Sequence, residues 1–316
     1  MRFVSFSTTQ LPKPHLGILQ EQDNEVLDVD LVGQALKLDL PDQLLDLIEN
    51  YERYQPALQT IQEKAGGRRF SEVKTFRDVG AVQSLDAVQL AAPIPRPRKN
   101  VLCVATNYLE HIKETAGNRD HQGQAPANPV FFTKSPTTVV GPDGEVIVDP
   151  AVSSQMDWEA ELGVILGKSG KNIREEDALS YIFGYTVLND VTARDLQVKH
   201  KQFFKGKSLD TSCPMGPSIV TADEVANPQH LNIKLRVNGE TKQDSNTELM
   251  IFSIANLISV LSQGMTLEAG DIIATGTPSG VGFTRKPPEF LQAGDIVEAE
   301  VEGIGVLRNR VVGPER

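Results

Sequence analysis

The chain has few cysteines, no long apolar run and no excess of positive charge, and each shortage excludes a class of protein. With only Cys103 and Cys213 among 316 residues, disulfide bonds do not organise the fold. No segment is long and apolar enough to span a bilayer, so we expect no membrane partner. The start, MRFVSFSTTQ, lacks the basic start followed by an apolar core that a secretory signal needs. We therefore expect a cytoplasmic location, or the mitochondrial matrix if a presequence was removed.

Acidic residues outnumber basic ones, 42 to 31, which gives a formal net charge of -11 at pH 7. Nucleic-acid binding depends on Lys and Arg side chains that neutralise phosphates, so this balance argues against a nucleic-acid partner. An apolar fraction of 40% and a charged fraction of 23% are typical of a soluble globular protein. The length allows one large domain with a smaller appendage.

Short apolar runs separated by Gly, Pro, Asn and Asp are typical of β-strands, and they dominate the chain from Val101 onward. We predict a small N-terminal α/β domain over residues 1–70, a linker over residues 71–98 and a main domain over residues 99–316. In the N-terminal part, three strands, the third over residues 25–32, precede a helical stretch that stops at Gly66. The dipeptide Asn238-Gly239 predicts a two-residue hairpin. Few helices interrupt the strands, which indicates an α+β fold that is mainly β.

Two glutamates, Glu159 and Glu161, stand one residue apart inside an apolar run over residues 158–166. Side chains alternate between the two faces of a strand, so both carboxylates would point the same way. Like charges on one partly buried face repel each other and are costly to desolvate. Either that face is in water, as on a strand with one solvated side, or a cation holds the pair.

Asp190 ends the apolar run YIFGYTVLND. It could simply cap a helix that begins near Thr192, because Asp is a common N-cap. Together with Glu159 and Glu161 it would instead supply three carboxylates, the oxygen ligands that Mg²⁺, Mn²⁺ and Ca²⁺ prefer. The five histidines are scattered and no His/Cys cluster has zinc spacing.

His111 and Glu114 lie three residues apart in a predicted helix, so they share one face and can hydrogen-bond. A carboxylate that holds one imidazole nitrogen leaves the other free to take a proton from water. The alternative is a surface helix with charge pairs, which Lys113 also fits. Residues 116–124, which follow, have the polar composition of a mobile lid.

Two further segments carry weaker signals. The stretch over residues 203–211 contains Lys207 and could bind phosphate or carboxylate, but its Gly-Lys-Ser lacks the upstream glycine of a P-loop. The glycine-rich turn over residues 276–282 could bring backbone amides close to a ligand, although a plain turn is the simpler interpretation.

In chain order, the segments NYLEHIKE, FTK, DWEAELGVILGK, NDVTARDLQ, GKSLDTSCPMGP and IIATGTPSGVG resemble the motifs of the fumarylacetoacetate hydrolase family. The resemblance extends from about Pro95 to Val312 and is specific because six motifs keep the family's order. The closing stretch RKPPEFLQAGDIVEAEVEGIG further resembles the subgroup called fumarylacetoacetate hydrolase domain-containing protein 2.

The resemblance implies a mixed β-sandwich or β-roll core with a few flanking helices, a homodimer, and one divalent metal per site. The metal would be Mg²⁺ or Mn²⁺, with Ca²⁺ as an alternative. By position, the implied metal ligands are Glu159, Glu161 and Asp190. The implied catalytic residues are His111, Glu114 and Lys207. The implied substrate-binding residues are Lys134, Gln197, Thr277 and Arg194, of which Arg194 would alternatively anchor the Asp190 segment.

Such a site implies chemistry on small 2-oxo or β-diketo acids through a metal-stabilised enolate. Attack by water held at His111 and Glu114 would hydrolyse an acylpyruvate-type C–C bond, whereas reprotonation alone would tautomerise oxaloacetate. Isomerisation or decarboxylation of 2-hydroxyhepta-2,4-dienedioate in aromatic-acid catabolism is an alternative. Fumarylacetoacetases proper carry an added aspartate ligand where this chain has Ala105-Thr106-Asn107, which argues against fumarylacetoacetate as substrate. An alternative of another class is a catalytically idle, metal-bound scaffold or binding protein.

Overall fold

The structure is a computed structural model that describes residues 1–9, 11–116 and 124–314, so the predicted lid lies mostly outside the described residues. The strands are β1 Arg2–Ser7, β2 His15–Gln20, β3 Glu25–Asp28, β4 Val82–Ser84, β5 Gln89–Ala91, β6 Val101–Ala105, β7 Val130–Lys134, β8 Val139–Val140, β9 Glu145–Ile147, β10 Met156–Asp157, β11 Ala160–Leu166, β12 Ile182–Asn189, β13 Thr192–Ala193, β14 Cys213–Thr221, β15 Asn232–Val237, β16 Glu240–Asn246, β17 Ile272–Ala274, β18 Ile296–Val301 and β19 Gly305–Val312. The α-helices are α1 Val29–Leu36, α2 Leu44–Glu49, α3 Tyr51–Ala65, α4 Lys74–Asp78, α5 Leu109–Thr115, α6 Arg194–His200, α7 Phe204–Lys207 and α8 Ile254–Ser262. The 3-10 helices are Glu21–Asp23, Phe70–Glu72, Leu85–Ala87, Pro136–Thr138, Glu175–Tyr181, Ala222–Glu224, Thr247–Leu249 and Gly282–Thr284.

A large mixed sheet runs through the described chain in the order β4-β3-β2-β1-β14-β12-β11-β17-β6-β7, with β5 beside β1 and β8 beside β14. A second sheet has the order β16-β15-β18-β19-β9, and β10 pairs with β13. Over the described residues both main sheets stay open. Their combination with a few helices confirms the predicted α+β class, mainly β.

The main hydrophobic core lies between the large sheet and the second sheet. Alternate residues of β11, such as Leu162 and Val164, pack there with Leu235 and Val297 of the second sheet. Ile165 points to the opposite face, where the helices α2 and α3 cover the sheet. Because both faces are covered, β11 and β12 are buried along their whole length.

The N-terminal strands continue the large sheet, since β1 pairs antiparallel with β14 through Phe3 and Ile219. Strand β3 ends at Asp28, four residues before the predicted end. The reason is local, because the Asp28 carboxylate accepts a hydrogen bond from Leu31 N at 3.1 Å and so starts helix α1. Helix α3 stops at Gly66 as predicted, with that glycine left-handed at φ 56°.

The hairpin predicted at Asn238-Gly239 is confirmed. Both residues have positive φ, 52° and 79°, and they join the antiparallel strands β15 and β16. None of the described helices has the length and apolar character needed to cross a membrane.

Candidate metal centre and active site

Three carboxylates meet where β11 begins and β12 ends. The two strands are antiparallel with Ala160 opposite Asn189, so Asp190 comes to lie beside Glu159. The backbone fixes this approach, because Asp190 N donates to Glu159 O at 2.8 Å. One carboxylate oxygen from each of Glu159, Glu161 and Asp190 lies within 4.8 Å of the other two.

This face is not in water. Glu159, Glu161 and Asp190 are 5%, 1% and 0% exposed, which rules out the interpretation of a solvated strand face. The helix-cap interpretation of Asp190 is also wrong, because α6 begins at Arg194 with Ala193 in the cap position. The Asp190 carboxylate instead accepts hydrogen bonds from Lys134 Nζ at 2.7 Å and Lys207 Nζ at 2.6 Å.

Glu159 is held by two cations. Lys207 Nζ lies 2.6 Å from Glu159 Oε2, and Arg194 Nη1 lies 2.7 Å from Glu159 Oε1. Burial alone would raise the pKa of Glu159, but Lys207, Arg194 and His111 together hold that pKa well below its usual range. Glu159 is therefore ionised.

Glu161 is different, because none of the described ion pairs involves it. Its Oε2 accepts a hydrogen bond from Gly276 N at 2.7 Å. Burial and the neighbouring carboxylates of Asp190 and Glu159 raise the pKa of Glu161 well above its usual value. A divalent cation between the three carboxylates would remove that repulsion, and an all-oxygen donor set suits Mg²⁺, Mn²⁺ or Ca²⁺. The residues present therefore fit such an ion.

Gly276 is required for this contact. Its φ of 98° is a left-handed conformation, and a Cβ there would stand 2.8 Å from Asn107 Cβ. The Asn107 side chain donates to the carbonyls of Phe252 and Thr275 and accepts from Phe252 N, which fixes the chain just before α5. The glycine-rich turn, for which a plain turn was the simpler interpretation, thus contributes a backbone amide to the site.

His111 and Glu114 form the predicted pair on α5, with His111 Nδ1 2.7 Å from Glu114 Oε1. His111 is only 3% exposed, so this face of the helix is not a surface face, while Lys113 pairs with Glu110 in solvent. The second oxygen of Glu114 accepts hydrogen bonds from Gly280 N at 2.9 Å and the Thr284 hydroxyl at 3.2 Å. With Nδ1 engaged, Nε2 is the imidazole nitrogen left for chemistry.

A small cavity opens onto Glu159 and Glu161. Its volume is about 10 Å³, room for about one water molecule. The predicted site residues that line it are His111, Glu159, Glu161, Gln197, Lys207 and Thr277. Phe132 and Phe203, which the sequence did not single out, form an aromatic wall with ring centroids 5.5 Å apart. Lys207 Nζ lies 5.0 Å from the Phe132 centroid.

Of the four predicted substrate-binding residues, Gln197 and Thr277 line the cavity, whereas Lys134 and Arg194 do not. The Thr277 hydroxyl donates to Ala160 O at 2.9 Å and accepts from Gln243 Nε2, so it is engaged with the protein. Lys134 is fully buried behind Asp190, where Nζ also donates to Val191 O at 3.1 Å. A substrate contact by any of the four stays a prediction.

Asp157 was missed by the sequence analysis. It is fully buried and accepts a hydrogen bond from Arg194 Nε at 2.8 Å. The sequence contained a signal, because Asp157, Glu159 and Glu161 recur at every second residue, the spacing of one face of an extended chain.

The metal fit leads to a direct prediction. Mn²⁺ at 100 times its dissociation constant should add about 2.7 kcal/mol to the stability of the metal-free protein. For a chain of 316 residues that corresponds to a melting temperature raised by about 4 °C. Differential scanning calorimetry after EDTA treatment measures the shift. Na⁺ at equal ionic strength is the control, and an unchanged melting temperature with Mn²⁺ would contradict the site.

The chain is similar to known proteins over nearly its whole length. The family model described as fumarylacetoacetate (FAA) hydrolase C-terminal matches residues 100–312. The chain is 43% identical over 310 residues to oxaloacetate tautomerase YisK of Bacillus subtilis (strain 168), covering 98% of this chain and 100% of that protein. It is 40% identical over 314 residues to the mitochondrial oxaloacetate tautomerase FAHD2A of Homo sapiens, covering 99% and 92%.

Among solved structures, a maleylpyruvate hydrolase from Sphingobium sp. SYK-6, in complex with manganese(II) ion and pyruvate, superimposes with a TM-score of 0.75 at 30% identity. The match covers 100% of both chains. The matched family model spans most of the chain and includes the three carboxylates, the cavity and the His111–Glu114 pair. The chain therefore belongs to the fumarylacetoacetate hydrolase family.

Proposed function

We propose that this protein is a divalent-metal-dependent enzyme that interconverts the enol and keto forms of oxaloacetate. The observation that carries the proposal is the buried triad of Glu159, Glu161 and Asp190, in which the described ion pairs with lysine and arginine engage Glu159 and Asp190 but not Glu161. Relatives that match nearly the whole chain are named oxaloacetate tautomerases, which supports this substrate. The cofactor would be Mg²⁺ or Mn²⁺, in line with the manganese in the maleylpyruvate hydrolase structure.

When bound, the metal would polarise the 2-oxo group and the neighbouring carboxylate of the substrate and so favour enolate formation. Glu159, Glu161 and Asp190 would hold the ion. Lys207 lines the same cavity and supplies positive charge for the enolate oxygen. The three carboxylates and Lys207 are buried, so these charges act in a medium of low dielectric constant.

His111 moves the proton in this scheme. Its Nδ1 is engaged by Glu114, and the ring lines the cavity, so Nε2 can exchange a proton with the substrate. The enol hydroxyl loses a proton and C3 gains one, which leaves the atoms and electrons of the substrate balanced. Gly280 N and the Thr284 hydroxyl hold Glu114 and thereby keep the imidazole in one orientation.

Hydrolysis of an acylpyruvate-type C–C bond is the second candidate activity. The specific observation in its favour is the buried, hydrogen-bonded His111–Glu114 pair, which could activate water for attack on the remote carbonyl.

Replacing His111 with alanine separates the two activities. We expect C–C hydrolysis to fall by about 10²–10⁴-fold, the usual contribution of a general base. Enol-to-keto conversion should fall less, because water can also protonate C3 of an enolate that the metal and Lys207 would stabilise. The assay follows acylpyruvate cleavage and the ultraviolet absorbance of oxaloacetate enol with Mg²⁺. The panel also includes fumarylacetoacetate and 2-hydroxyhepta-2,4-dienedioate.

The matched control is His230→Ala, because His230 forms a similar pair with Glu248 at 2.9 Å on the exposed surface. Both activities should be unchanged in that variant. Equal activity of the His111 variant and the wild type would refute the role of the dyad. No turnover of any substrate by the wild type with Mg²⁺ or Mn²⁺ would favour a metal-bound scaffold instead.

We further propose a homodimer in the cytoplasm or mitochondrial matrix. Large apolar side chains are exposed at Val130, Val198 and Phe204, on elements next to the site, as expected of a surface covered by a partner. One of the relatives is named mitochondrial, which supports the second location. Sedimentation velocity tests the dimer.

A further inference from the structure

We propose that Asp157 is a positioning residue that holds Glu159 in place for the divalent metal through Arg194. The same carboxylate also seats the turn that carries the anchors of Glu114. This inference rests on the metal site of the proposed function, and it assigns a role to a residue that is neither a metal ligand nor in the cavity wall.

Each carboxylate oxygen of Asp157 accepts two hydrogen bonds. It lies at the end of β10 and is 0% exposed. One carboxylate oxygen accepts from Gly282 N at 2.7 Å and Trp158 N at 2.8 Å. The other accepts from Arg194 Nε at 2.8 Å and Phe283 N at 3.2 Å. A buried carboxylate with four donors is fixed in orientation.

Arg194 transmits that orientation to Glu159. Its guanidinium is planar, so the Nε contact to Asp157 and the Nη1 contact to Glu159 Oε1 at 2.7 Å constrain each other. The group also stacks on the Phe283 ring, 4.3 Å from the centroid. Glu159 is thus pinned at Oε1, while Oε2 faces Lys207 on the side of the carboxylate cluster.

The charges around Arg194 also indicate that Asp157 supports metal binding. Arg194 lies between two buried carboxylates, and the negative charge of Asp157 offsets part of its positive charge. Without the negative charge of Asp157, the positive potential of Arg194 at Glu159 would be higher. A dication would then bind there less tightly. Asp157 therefore supports metal binding both by geometry and by charge.

Asp157 also contacts the segment that holds Glu114 of the His111–Glu114 pair. Gly282 approaches so closely that a Cβ there would stand 2.7 Å from Asp157 Oδ1. On either side of this contact, Gly280 N and the Thr284 hydroxyl hold Glu114. One buried carboxylate thus positions residues on both sides of the cavity.

The test is Mn²⁺ affinity, measured by electron paramagnetic resonance on purified full-length protein without substrate. Asp157→Asn should weaken Mn²⁺ binding by about 10–100-fold, as outer-shell changes commonly do. Arg194→Lys keeps the charge but cannot span both carboxylates, so it isolates the geometric part and should also weaken binding. Asp177→Asn breaks a surface Asp–Arg pair with Arg174 and is the matched control.

Circular dichroism and melting curves establish which variants are folded, and affinity is compared for those. A purely structural role would lower the melting temperature of Asp157→Asn but leave Mn²⁺ affinity within about threefold of the wild type, and that result overturns the proposal. If Asp157→Asn does not fold, Arg194→Lys decides by the same criterion. A wild type that bound no Mn²⁺ would instead overturn the proposed function itself.

Discussion

Glu161→Gln is expected to abolish tight Mn²⁺ binding and to lower kcat/KM by about 10³-fold or more, because a ligand is lost from the metal that supplies the electrophile. The same change should stabilise the metal-free protein. Burial and the charges of Asp190 and Glu159 raise the pKa of Glu161, so the ionised side chain is unfavourable without a cation. Glutamine keeps the shape and the hydrogen bond from Gly276 N but removes the charge. Denaturant unfolding in EDTA measures the gain.

Glu25→Gln is a control for which we expect the opposite change in the stability of the metal-free protein. It is also a buried glutamate, but its pKa is lowered, because hydrogen bonds from Ser71 and the charge of Arg69 outweigh burial. Glu25→Gln should therefore destabilise the protein and leave Mn²⁺ affinity unchanged. If Glu161→Gln destabilised the metal-free protein as Glu25→Gln does, the assignment of Glu161 as the triad carboxylate that needs a cation would be wrong.

Lys207→Met is expected to lower kcat by about 10²–10³-fold, since the cavity loses its positive group for the enolate oxygen. It should also destabilise the metal-free protein by about 3–5 kcal/mol, because removal of one partner leaves buried charges unpaired. Burial would lower the pKa of Lys207, but Asp190 and Glu159 raise it, so the ammonium is charged. The substitution therefore removes an ion pair with each of these carboxylates. Mn²⁺ should restore part of the stability but not the activity.

Lys99→Met is the matched comparison. Lys99 Nζ also bridges two carboxylates, at 2.8 Å from Glu268 and 2.9 Å from Asp271, but it is 41% exposed. Its loss should cost about 1 kcal/mol or less and leave kcat unchanged. Urea denaturation and steady-state kinetics on both variants, with and without Mn²⁺, provide the comparison. A Lys207 variant with wild-type kcat would remove this lysine from the reaction scheme.

The local sequence pattern was enough to predict most of the longer strands and the shared direction of Glu159 and Glu161. Alternation along β11 is a short-range property, so it can be read without a structure. The anchoring of Glu114 could not be predicted, because Gly280 and Thr284 lie 166 and 170 residues further along the chain. Whether Asp190 capped a helix or faced the glutamates depended on the register of β11 against β12, which the pattern does not encode.

The same limit applies to the aromatic wall and to Asp157. Phe132 lies in β7 and Phe203 lies just before α7, far apart in sequence. The local pattern around each does not distinguish a pocket wall from an ordinary core position. Asp157 was visible as the first of three alternating acids. Its four donors, however, come from a neighbouring residue, from a helix and from a distant turn, so only the fold shows what it does.

The pairing of β1 with β14 has a practical consequence for any shortened version of the chain. A fragment that began at Val101 would leave the hydrogen-bonding groups of β14 along Ile219 and Val220 without their partner strand. Open strand edges of this kind recruit other molecules and promote aggregation. The same cut would strip the cover from Ile165, on the strand that carries Glu161. Aggregation of such a fragment would therefore reflect a lost sheet neighbour and would say nothing about the metal ligands.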